Sequence, residues 1–273
     1  MKKGLILSTL FLTVAFAVGA KANTTEPEGV HTCRLMPPLM CDANEKLFTG
    51  IMTEKYPDGA VRGTSFFKEG LPDGLLKTFY PDGKIETETT YKGGKENGIS
   101  KAYYKDGTLK VEVTFEEGKQ KGIVKAYWEN GNLMAEGEQL DRVPTGPQRA
   151  YYKSGQLMAE TNYKKGLKHG KVVEYYENGQ LKVEGSYEND KLSGVAKIYY
   201  ENGQLQTEMN YKDGLRNGRT LDYYENGQLR GEGNFLNDKP DGIAKAYDEN
   251  GQLVKEITFN KGEIVPEGEE KKE

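Results

Sequence analysis

The feature that most constrains this chain is a glycine that recurs every 24 residues, nine times, without an insertion. A second series of nine glycines keeps the same step. Such a period is the signature of a repeat protein. The low hydrophobic content, 36%, agrees with an ordered array around a thin core. The two series are Gly59, Gly83, Gly107, Gly131, Gly155, Gly179, Gly203, Gly227 and Gly251, and Gly50, Gly74, Gly98, Gly122, Gly146, Gly170, Gly194, Gly218 and Gly242.

The first glycine usually completes an Asn-Gly or Asp-Gly pair, as in Asn178-Gly179. Such pairs indicate a hairpin with a two-residue loop, in which both residues need positive φ. An aromatic residue opposite each glycine of the second series would cover bare backbone. In residues 98–115 this register pairs, on one apolar face, Tyr104 with Leu109, Ala102 with Val111, Ser100 with Val113 and Gly98 with Phe115.

The opposite face of the same hairpin carries charge. It places Tyr103 against Lys110, Lys101 against Glu112 and Ile99 against Thr114. Facing opposite charges contribute roughly 0.2–1 kcal/mol each. The basic–acidic pair recurs as Lys77–Glu88, Lys125–Glu136, Arg149–Glu160, Lys197–Glu208 and Lys245–Glu256. The sequence therefore predicts an all-β fold, in which tandem 24-residue β-hairpin repeats over residues 45–262 form an elongated, twisted antiparallel meander.

Aromatic residues form two rows in this frame. The row on the charged face is the candidate binding surface, because tyrosine offers a large contact area at a low entropy cost. The alternative is that each ring packs on its cross-strand lysine and only stabilises the sheet. The other row faces the core and is predicted to be structural: Tyr80, Tyr104, Trp128, Tyr152, Tyr176, Tyr200 and Tyr224. The candidate binding row is Phe79, Tyr103, Tyr127, Tyr151, Tyr175, Tyr199, Tyr223 and Tyr247.

Residues 1–22 have the pattern of a signal peptide. Residues 2–3 are lysines, residues 5–18 are apolar, and residues 20–22 (Ala-Lys-Ala) fit a cleavage site that predicts a mature start at Asn23. The alternative is a membrane-spanning helix, but 14 apolar residues are too few to cross a bilayer. We therefore expect export to the periplasm, the cell surface or the medium, with no transmembrane span after signal removal.

Removal of the signal takes three of the 38 basic residues and leaves 35 against 42 acidic ones, a net charge of −7. Such a chain has no bulk attraction for nucleic acid. The only cysteines, Cys33 and Cys41, lie in a predicted linker over residues 23–44. An even pair in an exported chain predicts a disulfide, with two free thiols as the alternative. Two cysteines without partnering histidines make a poor metal site, so we expect no metal.

The repeat pattern weakens inside the array and at its ends. Residues 137–148 contain two prolines, and Gln139 stands where other repeats carry an aromatic residue. This segment is either a hinge between two runs of repeats or a single tolerated loop variant. Pro147 cannot donate to a ladder, so it fits only at an edge, a strand start or a bulge. Residues 263–273 are predicted to be a charged, disordered tail.

No set of residues in the sequence suggests catalysis. His31 and His169 are far apart, and no serine or cysteine plausibly pairs with them. The recurring carboxylates face Lys or Arg in most repeats and are predicted to form a solvated charge ladder. The Asp-Gly pairs at 82–83 and 106–107 replace Asn-Gly in the same turn, so turn chemistry explains them without calcium. We expect no enzyme activity and no cofactor.

The string Tyr-Tyr-Glu-Asn-Gly-Gln-Leu occurs at 175–181, 199–205 and 223–229. These residues resemble the MORN-repeat family, most closely its bacterial variant repeat, over roughly residues 45–262. The resemblance implies a β-hairpin array used for protein–protein or membrane association. Similar proteins are sometimes classed as antitoxins of toxin–antitoxin systems. Others carry a lipid-kinase label, but this chain has no glycine-rich phosphate loop with its lysine.

Two functions fit these patterns. The leading hypothesis is an exported, non-catalytic repeat protein that acts as a protein-binding or scaffold module of the cell envelope, with another protein or a glycan as its partner. The alternative is an antitoxin or immunity protein that neutralises a partner toxin. An ordinary cytosolic antitoxin would lack the signal peptide.

Overall fold

The computed structural model describes residues 29–33 and 38–266, and every regular element in these ranges is a β-strand. The predicted all-β repeat fold is confirmed. The described residues divide into two compact units, one ending at Val143 and one beginning at Pro144. This boundary lies within the segment 137–148, where the sequence pattern weakens.

The predicted signal peptide, residues 1–22, lies outside the described residues. Within the part of the chain that is described, no helix is long and apolar enough to cross a membrane.

A short hairpin precedes the repeats. Its strands are β1 (Val30–Thr32) and β2 (Met40–Asp42), and a disulfide joins Cys33 to Cys41, whose Cα atoms are 5.1 Å apart. The amide of Met40 donates to the carbonyl of Gly70 (2.9 Å), and the amide of Phe48 donates to the carbonyl of Met40 (2.9 Å). The hairpin therefore pairs with the first repeat on the side where the strand of a preceding repeat would lie.

Each unit is an antiparallel sheet whose strands follow one another in chain order. Some arms of the hairpins are split, so that β5 and β6, defined below, both pair with β4. The unit ending at Val143 contains β3 (Gly50–Lys55), β4 (Val61–Lys68), β5 (Leu71–Pro72), β6 (Gly74–Phe79), β7 (Ile85–Lys92), β8 (Lys95–Tyr103), β9 (Leu109–Glu116), β10 (Lys119–Tyr127) and β11 (Leu133–Leu140).

The unit beginning at Pro144 repeats the same arrangement. Its strands are β12 (Val143–Tyr151), β13 (Leu157–Lys164), β14 (Leu167–Tyr175), β15 (Leu181–Glu188), β16 (Lys191–Leu192), β17 (Gly194–Tyr199), β18 (Leu205–Lys212), β19 (Leu215–Tyr223), β20 (Leu229–Leu236), β21 (Lys239–Pro240), β22 (Gly242–Tyr247), β23 (Leu253–Asn260) and β24 (Glu263–Ile264). Because β24 pairs with the end of β23, ordered structure continues into the stretch predicted as a disordered tail.

The predicted register is correct over the body of each hairpin. In β8 and β9, Gly98 faces Phe115, and the ladder continues unbroken to Ala102 opposite Val111. Near the tip the prediction is wrong, because Tyr103 pairs with Leu109 and not with Lys110. The ladder skips Lys110, and this bulge turns its side chain away from Tyr103.

The hairpin tips differ from the predicted two-residue loops. The amide of Tyr104 donates to the carbonyl of Thr108 (2.9 Å), and the amide of Gly107 donates to the carbonyl of Tyr104 (2.9 Å). Gly107 has a φ of +96°, whereas Asp106 is not in the left-handed region. This is a three-residue loop, a turn followed by a left-handed glycine, which uses Asp-Gly or Asn-Gly as readily as the predicted type does.

Two-residue loops with positive φ at both positions are found instead between the hairpins. Glu117 (φ 53°) and Gly118 (φ 79°) join β9 to β10, flanked by the pair Glu116–Lys119. Asn189 (φ 49°) and Asp190 (φ 66°) join β15 to β16 in the same way. The two loop types alternate along each sheet.

Two structural features explain the second glycine series, and one of them, the aromatic partner, was predicted from the sequence. The predicted aromatic partner is present, as in Gly98 opposite Phe115 and Gly170 opposite Tyr187. Gly98 also has a φ of +118°, where the β7–β8 ladder shifts, and L side chains rarely adopt such a backbone. The exception to the aromatic partner is Gln139, opposite Gly122.

The core lies on the predicted apolar face. In the first unit Val111, Val113, Phe115, Val124 and Ala126 form one cluster, and Val113 is only 1% exposed. Two buried polar residues on this face satisfy one another, because the hydroxyls of Thr89 and Ser100 are 2.7 Å apart. In the second unit a smaller cluster contains Val172 and Val183, with Tyr187 and Leu192 packed against it.

Candidate functional site

The candidate binding row lies where the first arm of each hairpin ends. In the first unit Phe79, Tyr103 and Tyr127 close β6, β8 and β10. In the second unit the same place is taken by the last residue of β12, β14, β17, β19 and β22: Tyr151, Tyr175, Tyr199, Tyr223 and Tyr247. All eight rings are half-buried, so each keeps an accessible edge.

Several hydroxyls of this row donate to a glutamate 15 residues earlier. Tyr103 donates to Glu88 (2.9 Å), and Tyr199 donates to Glu184 (2.8 Å). Tyr247 donates to Glu232 (3.0 Å). The bond fixes the ring against the preceding strand, so the row is part of the hydrogen bonding of the sheet as well as of its surface.

Burial, and then the bond to glutamate, raise the pKa of Tyr103 and of Tyr199 to about 12. The hydrogen bond from Lys77 is the main cause that lowers the pKa of Glu88. The hydroxyls of Tyr103 and Tyr199 therefore remain protonated donors, and the carboxylate of Glu88 remains an ionised acceptor, throughout the neutral range.

The charge ladder beside the row follows the predicted pairs. Glu88 lies between two lysines, facing Lys77 on one strand and Lys101 on the other. Lys125 faces Glu136 in the β10–β11 register. The nitrogen–oxygen distances are 3.0 Å for Lys77–Glu88, 3.8 Å for Lys101–Glu112, 2.7 Å for Arg149–Glu160, 3.6 Å for Lys197–Glu208 and 3.5 Å for Lys245–Glu256. Because these groups are partly exposed, each pair contributes little stability by itself.

The second aromatic row ties the repeats together. Each tyrosine hydroxyl donates to the backbone carbonyl of the candidate-row residue that lies 23 positions later in the chain. These bonds were not predicted from the sequence. The bonds run from Tyr56 to Phe79 (2.6 Å), Tyr80 to Tyr103 (2.7 Å), Tyr104 to Tyr127 (2.8 Å), Tyr152 to Tyr175 (2.7 Å), Tyr176 to Tyr199 (2.8 Å), Tyr200 to Tyr223 (2.8 Å) and Tyr224 to Tyr247 (2.9 Å).

The lysine predicted to pack on the candidate row packs on this second row. The ammonium of Lys110 lies 5.3 Å from the ring centroid of Tyr104, and that of Lys182 lies 5.6 Å from the ring centroid of Tyr176. The bulge near the hairpin tip causes the exchange, since it removes Lys110 from its place opposite Tyr103. The ring of Tyr103 in the candidate row is therefore not covered by Lys110, contrary to the prediction.

A third row on the same face was missed by the sequence analysis. In the first unit Ile51, Leu75, Ile99 and Ile123 are exposed by 72%, 46%, 49% and 54%. The signal was the recurrence of an aliphatic residue directly after each glycine of the second series in the first unit. In the second unit the same position is held by Pro147, Lys171, Val195, Arg219 and Ile243. The outer face of the first unit is therefore the more apolar.

The chemistry available on this face is that of recognition: rings, aliphatic side chains and paired charges at a regular spacing. Among residues 29–33 and 38–266, no group of three or more His, Cys, Asp or Glu side chains is arranged to hold a metal ion.

A model of the MORN repeat variant family matches eight tandem segments that cover more than half of the chain. They are residues 72–92, 96–117, 120–139, 144–165, 168–189, 192–213, 216–237 and 240–261. Each segment begins near one inter-hairpin loop and ends near the next, so the family repeat and the structural repeat coincide.

Comparison with other known proteins adds little. No curated protein matches the chain. Two solved structures, titled "Crystal Structure of TcdB2-TccC3-Cdc42" and "Crystal Structure of TcdB2-TccC3-TEV", are each 12% identical, over 77% and 80% of this chain. The chain spans only 16% and 14% of those chains, with TM-scores of 0.19 and 0.20. Scores this low carry no structural or functional argument.

Proposed function

Because this chain belongs to the MORN repeat variant family, whose repeats indicate protein or membrane binding, we propose that it is an exported, non-catalytic scaffold of the cell envelope. Its outer face binds another protein or a glycan. The observation that carries the proposal is the regular row of eight half-buried aromatic residues beside a charge ladder that recurs at most of the hairpins.

The geometry of the row supports recognition by a rigid surface. A ring such as Tyr199 is held at both ends, because its hydroxyl donates to Glu184 and its carbonyl accepts from Tyr176. A ring fixed before binding loses little entropy when a partner covers it. The exposed aliphatic residues of the first unit would add apolar contact area to the same face.

Tyr175 and Tyr223 offer the cleanest test of the binding face. Within the described structure their hydroxyls make no hydrogen bond that holds the sheet, so replacing both rings by serine should leave most inter-repeat bonds intact. We expect the double variant to lose crosslinking to the partner in intact cells. The matched control is Tyr176→Phe with Tyr200→Phe, which removes two inter-repeat bonds and should weaken the fold but retain crosslinking. Unchanged crosslinking in the Tyr175/Tyr223 variant would contradict this role for the row.

Export rests on the sequence pattern of residues 1–22 and is tested by cell fractionation with intact mass. We expect a mature chain that begins at Asn23, lies outside the cytoplasm and is lighter than its reduced form by the two hydrogens of a disulfide. A full-length, reduced chain in the cytosol would contradict export. That result would favour the alternative function, an antitoxin, whose own test is protection of growth when a neighbouring toxin gene is co-expressed.

A further inference from the structure

Four hairpin tips share one local sequence. The pentapeptide Glu-Asn-Gly-Gln-Leu occupies residues 177–181, 201–205, 225–229 and 249–253. The glycine of each has a positive φ between 82° and 86°, so the backbone is also the same at this point. Any difference in chemical behaviour between these asparagines must therefore come from what surrounds each tip.

Asn178 and Asn202 are held at both ends of the side-chain amide. The Oδ1 atom of Asn178 accepts from the amide of Gln180 (2.9 Å), and its Nδ2 atom donates to the carbonyl of Glu201 in the next tip (3.1 Å). Asn202 makes the same two bonds, with its Nδ2 atom 3.2 Å from the carbonyl of Glu225. Both amides are thus clamped between their own turn and the following repeat.

The last two tips lose these bonds in steps. The Oδ1 atom of Asn226 accepts from the amide of Gln228 (2.9 Å), but its Nδ2 atom has no partner in the described ranges. At the fourth tip the carboxylate of Asp248 accepts from the amides of Asn250 (2.9 Å) and Gln252 (2.8 Å). The side-chain amide of Asn250 therefore has no hydrogen bond within residues 38–266.

The cause is one substitution in the repeat. Asp248 stands where the three preceding tips carry Tyr176, Tyr200 and Tyr224. Its carboxylate accepts the hydrogen bond from the amide of Gln252. In the preceding tips the corresponding amide donates to the asparagine side chain. All four asparagines are exposed and are followed by a glycine that has no side chain to block an approach to its nitrogen, so the loss of the side-chain bond is what distinguishes Asn250.

We propose that Asn250 is a site of spontaneous deamidation, and that the four tips react in the order Asn250, Asn226, then Asn178 together with Asn202. The backbone nitrogen of Gly251 loses its proton to solvent base and attacks Cγ of Asn250. Solvent returns a proton to Nδ2, the bond from Cγ to Nδ2 breaks, Nδ2 leaves as ammonia, and a cyclic imide forms. Water then opens the imide to aspartate or isoaspartate, so no oxidant, metal or enzyme is needed.

The hydrogen bonds control the rate because the attack requires the side chain to turn towards the glycine nitrogen. At Asn178 that movement breaks the bond to Gln180 and the bond to Glu201. At Asn250 it breaks neither of these side-chain bonds. The bond from the glycine amide to the turn carbonyl, as from Gly251 to Asp248 (3.0 Å), must also open, but it is present in all four tips. We expect Asn250 to react about 30-fold faster than Asn178, the factor expected when two ordinary hydrogen bonds must open first.

The two products have different consequences. Aspartate fits this loop, since the Oδ1 atom of Asp106 accepts from the amide of Thr108 (2.8 Å) in an Asp-Gly tip of the first unit. Isoaspartate adds a carbon to the main chain and does not fit the three-residue loop. The reaction would therefore add negative charge to the last hairpin and loosen it in a fraction of the molecules.

The test is site-resolved peptide mass spectrometry of the full chain after incubation in mildly alkaline buffer. We expect acid to accumulate first at Asn250 and last at Asn178 and Asn202. The matched control is the same protein in denaturant, where four identical pentapeptides should react at similar rates. Equal rates for Asn250 and Asn178 in the folded protein would overturn the proposal.

A variant separates the cause from the position of the tip at the end of the array. Asp248→Tyr restores the residue of the preceding tips and frees the amide of Gln252 to bond to Asn250 Oδ1. We expect the rate at Asn250 to fall to that at Asn226. An unchanged rate would show that Asp248 is not responsible, and the stated mechanism would then fail.

Discussion

Two tyrosines that are adjacent in the chain donate their hydroxyls to different partners. Tyr199 ends a strand and donates its hydroxyl to Glu184 on the same sheet. Tyr200 lies in the loop and donates to the carbonyl of Tyr223 in the next repeat. One residue along the chain changes the face and the partner, because the strand ends between them.

The inter-repeat bond predicts a measurable loss of stability in Tyr200→Phe. Without its hydroxyl, the carbonyl of Tyr223 loses its side-chain donor. We expect the free energy of unfolding in urea to fall by about 1 kcal/mol. Tyr175→Phe is the control, because its hydroxyl makes no comparable bond in the described structure, and it should change stability by less than about 0.5 kcal/mol. Equal losses in the two variants would contradict the assignment.

The raised pKa of Tyr199 predicts loss of stability at high pH. Its folded value is about 12, above the ordinary value of 10.0, so the folded state favours the protonated ring. The stabilisation is complete below pH 10 and is lost as the pH rises towards 12. Titration of tyrosinate absorbance should show a late-ionising class in the folded protein that is absent in denaturant. Glu184→Gln should lower the pKa of Tyr199 only in part, because burial is the larger cause.

At this scale the sequence predicted which residues share a row, but not what they bond to. The spacing placed Tyr103 and Glu88 on the charged face, and the structure brings them together. The bonds to backbone carbonyls could not be predicted, since they depend on where the three-residue loop returns the chain. The predicted contact of Tyr103 with Lys110 failed for the same reason.

At the scale of elements, the hairpins are set by two loop types that alternate. Asn-Gly and Asp-Gly suit both a two-residue loop and a three-residue loop, so the dipeptide alone does not choose between them. The hairpins of the repeat array were therefore predicted from the sequence, but the positive-φ pair was assigned to the wrong end of each hairpin, and the β1–β2 hairpin was predicted only as a linker. The register survived because the bulge opposite Tyr103 offsets the extra loop residue, leaving Gly98 opposite Phe115 as predicted.

Alanine substitutions at Gly98 and at Gly185 distinguish the effect of backbone strain from that of a steric clash. Gly98 has a φ of +118°, so Gly98→Ala should destabilise the protein by roughly 1–2 kcal/mol. Gly185 lies outside the left-handed region, and an added Cβ would meet Ala196 at an ordinary 3.5 Å. Gly185→Ala should therefore be neutral or slightly stabilising. Thermal unfolding of the two variants is the measurement, and similar losses would show that strain at Gly98 is not the cause.

The disulfide hairpin should stabilise the first repeat locally. Replacing Cys33 and Cys41 by serine removes a short covalent loop, worth about 2–3 kcal/mol to the hairpin that it closes. Hydrogen exchange should then quicken at the amides of Met40 and Phe48, which bond through this hairpin. Amides of the second unit, such as that of Tyr176, should be unaffected and serve as the control. Uniform quickening along the chain would contradict a local role.

At the scale of the whole molecule, each repeat within a unit contacts mainly the next, through a strand ladder and in most repeats one tyrosine hydroxyl. Stability in such an array is approximately a sum over repeats and their interfaces, with no single central core. This explains why the glycine period alone predicted the fold class. The division at Pro144 was predicted only in part. The prolines indicated its position, but the same sequence is compatible with a hinge and with a tolerated loop variant.

The period itself can be tested by deletion. Removing residues 178–201 joins Glu177 to Asn202, which preserves the Glu-Asn-Gly tip and every side-chain face beyond it. We expect a folded, monodisperse protein with a modestly lower unfolding midpoint. Removing residues 172–194 instead deletes one residue fewer and joins Lys171 to Val195. The extra residue then lies inside a strand, so the residues that follow must present their other face to the core. That variant should lose cooperative unfolding in the second unit, measured by circular dichroism in urea. If both deletion variants unfolded with the same cooperativity, the alternation of side chains between the two faces of the sheet could not be what specifies this fold.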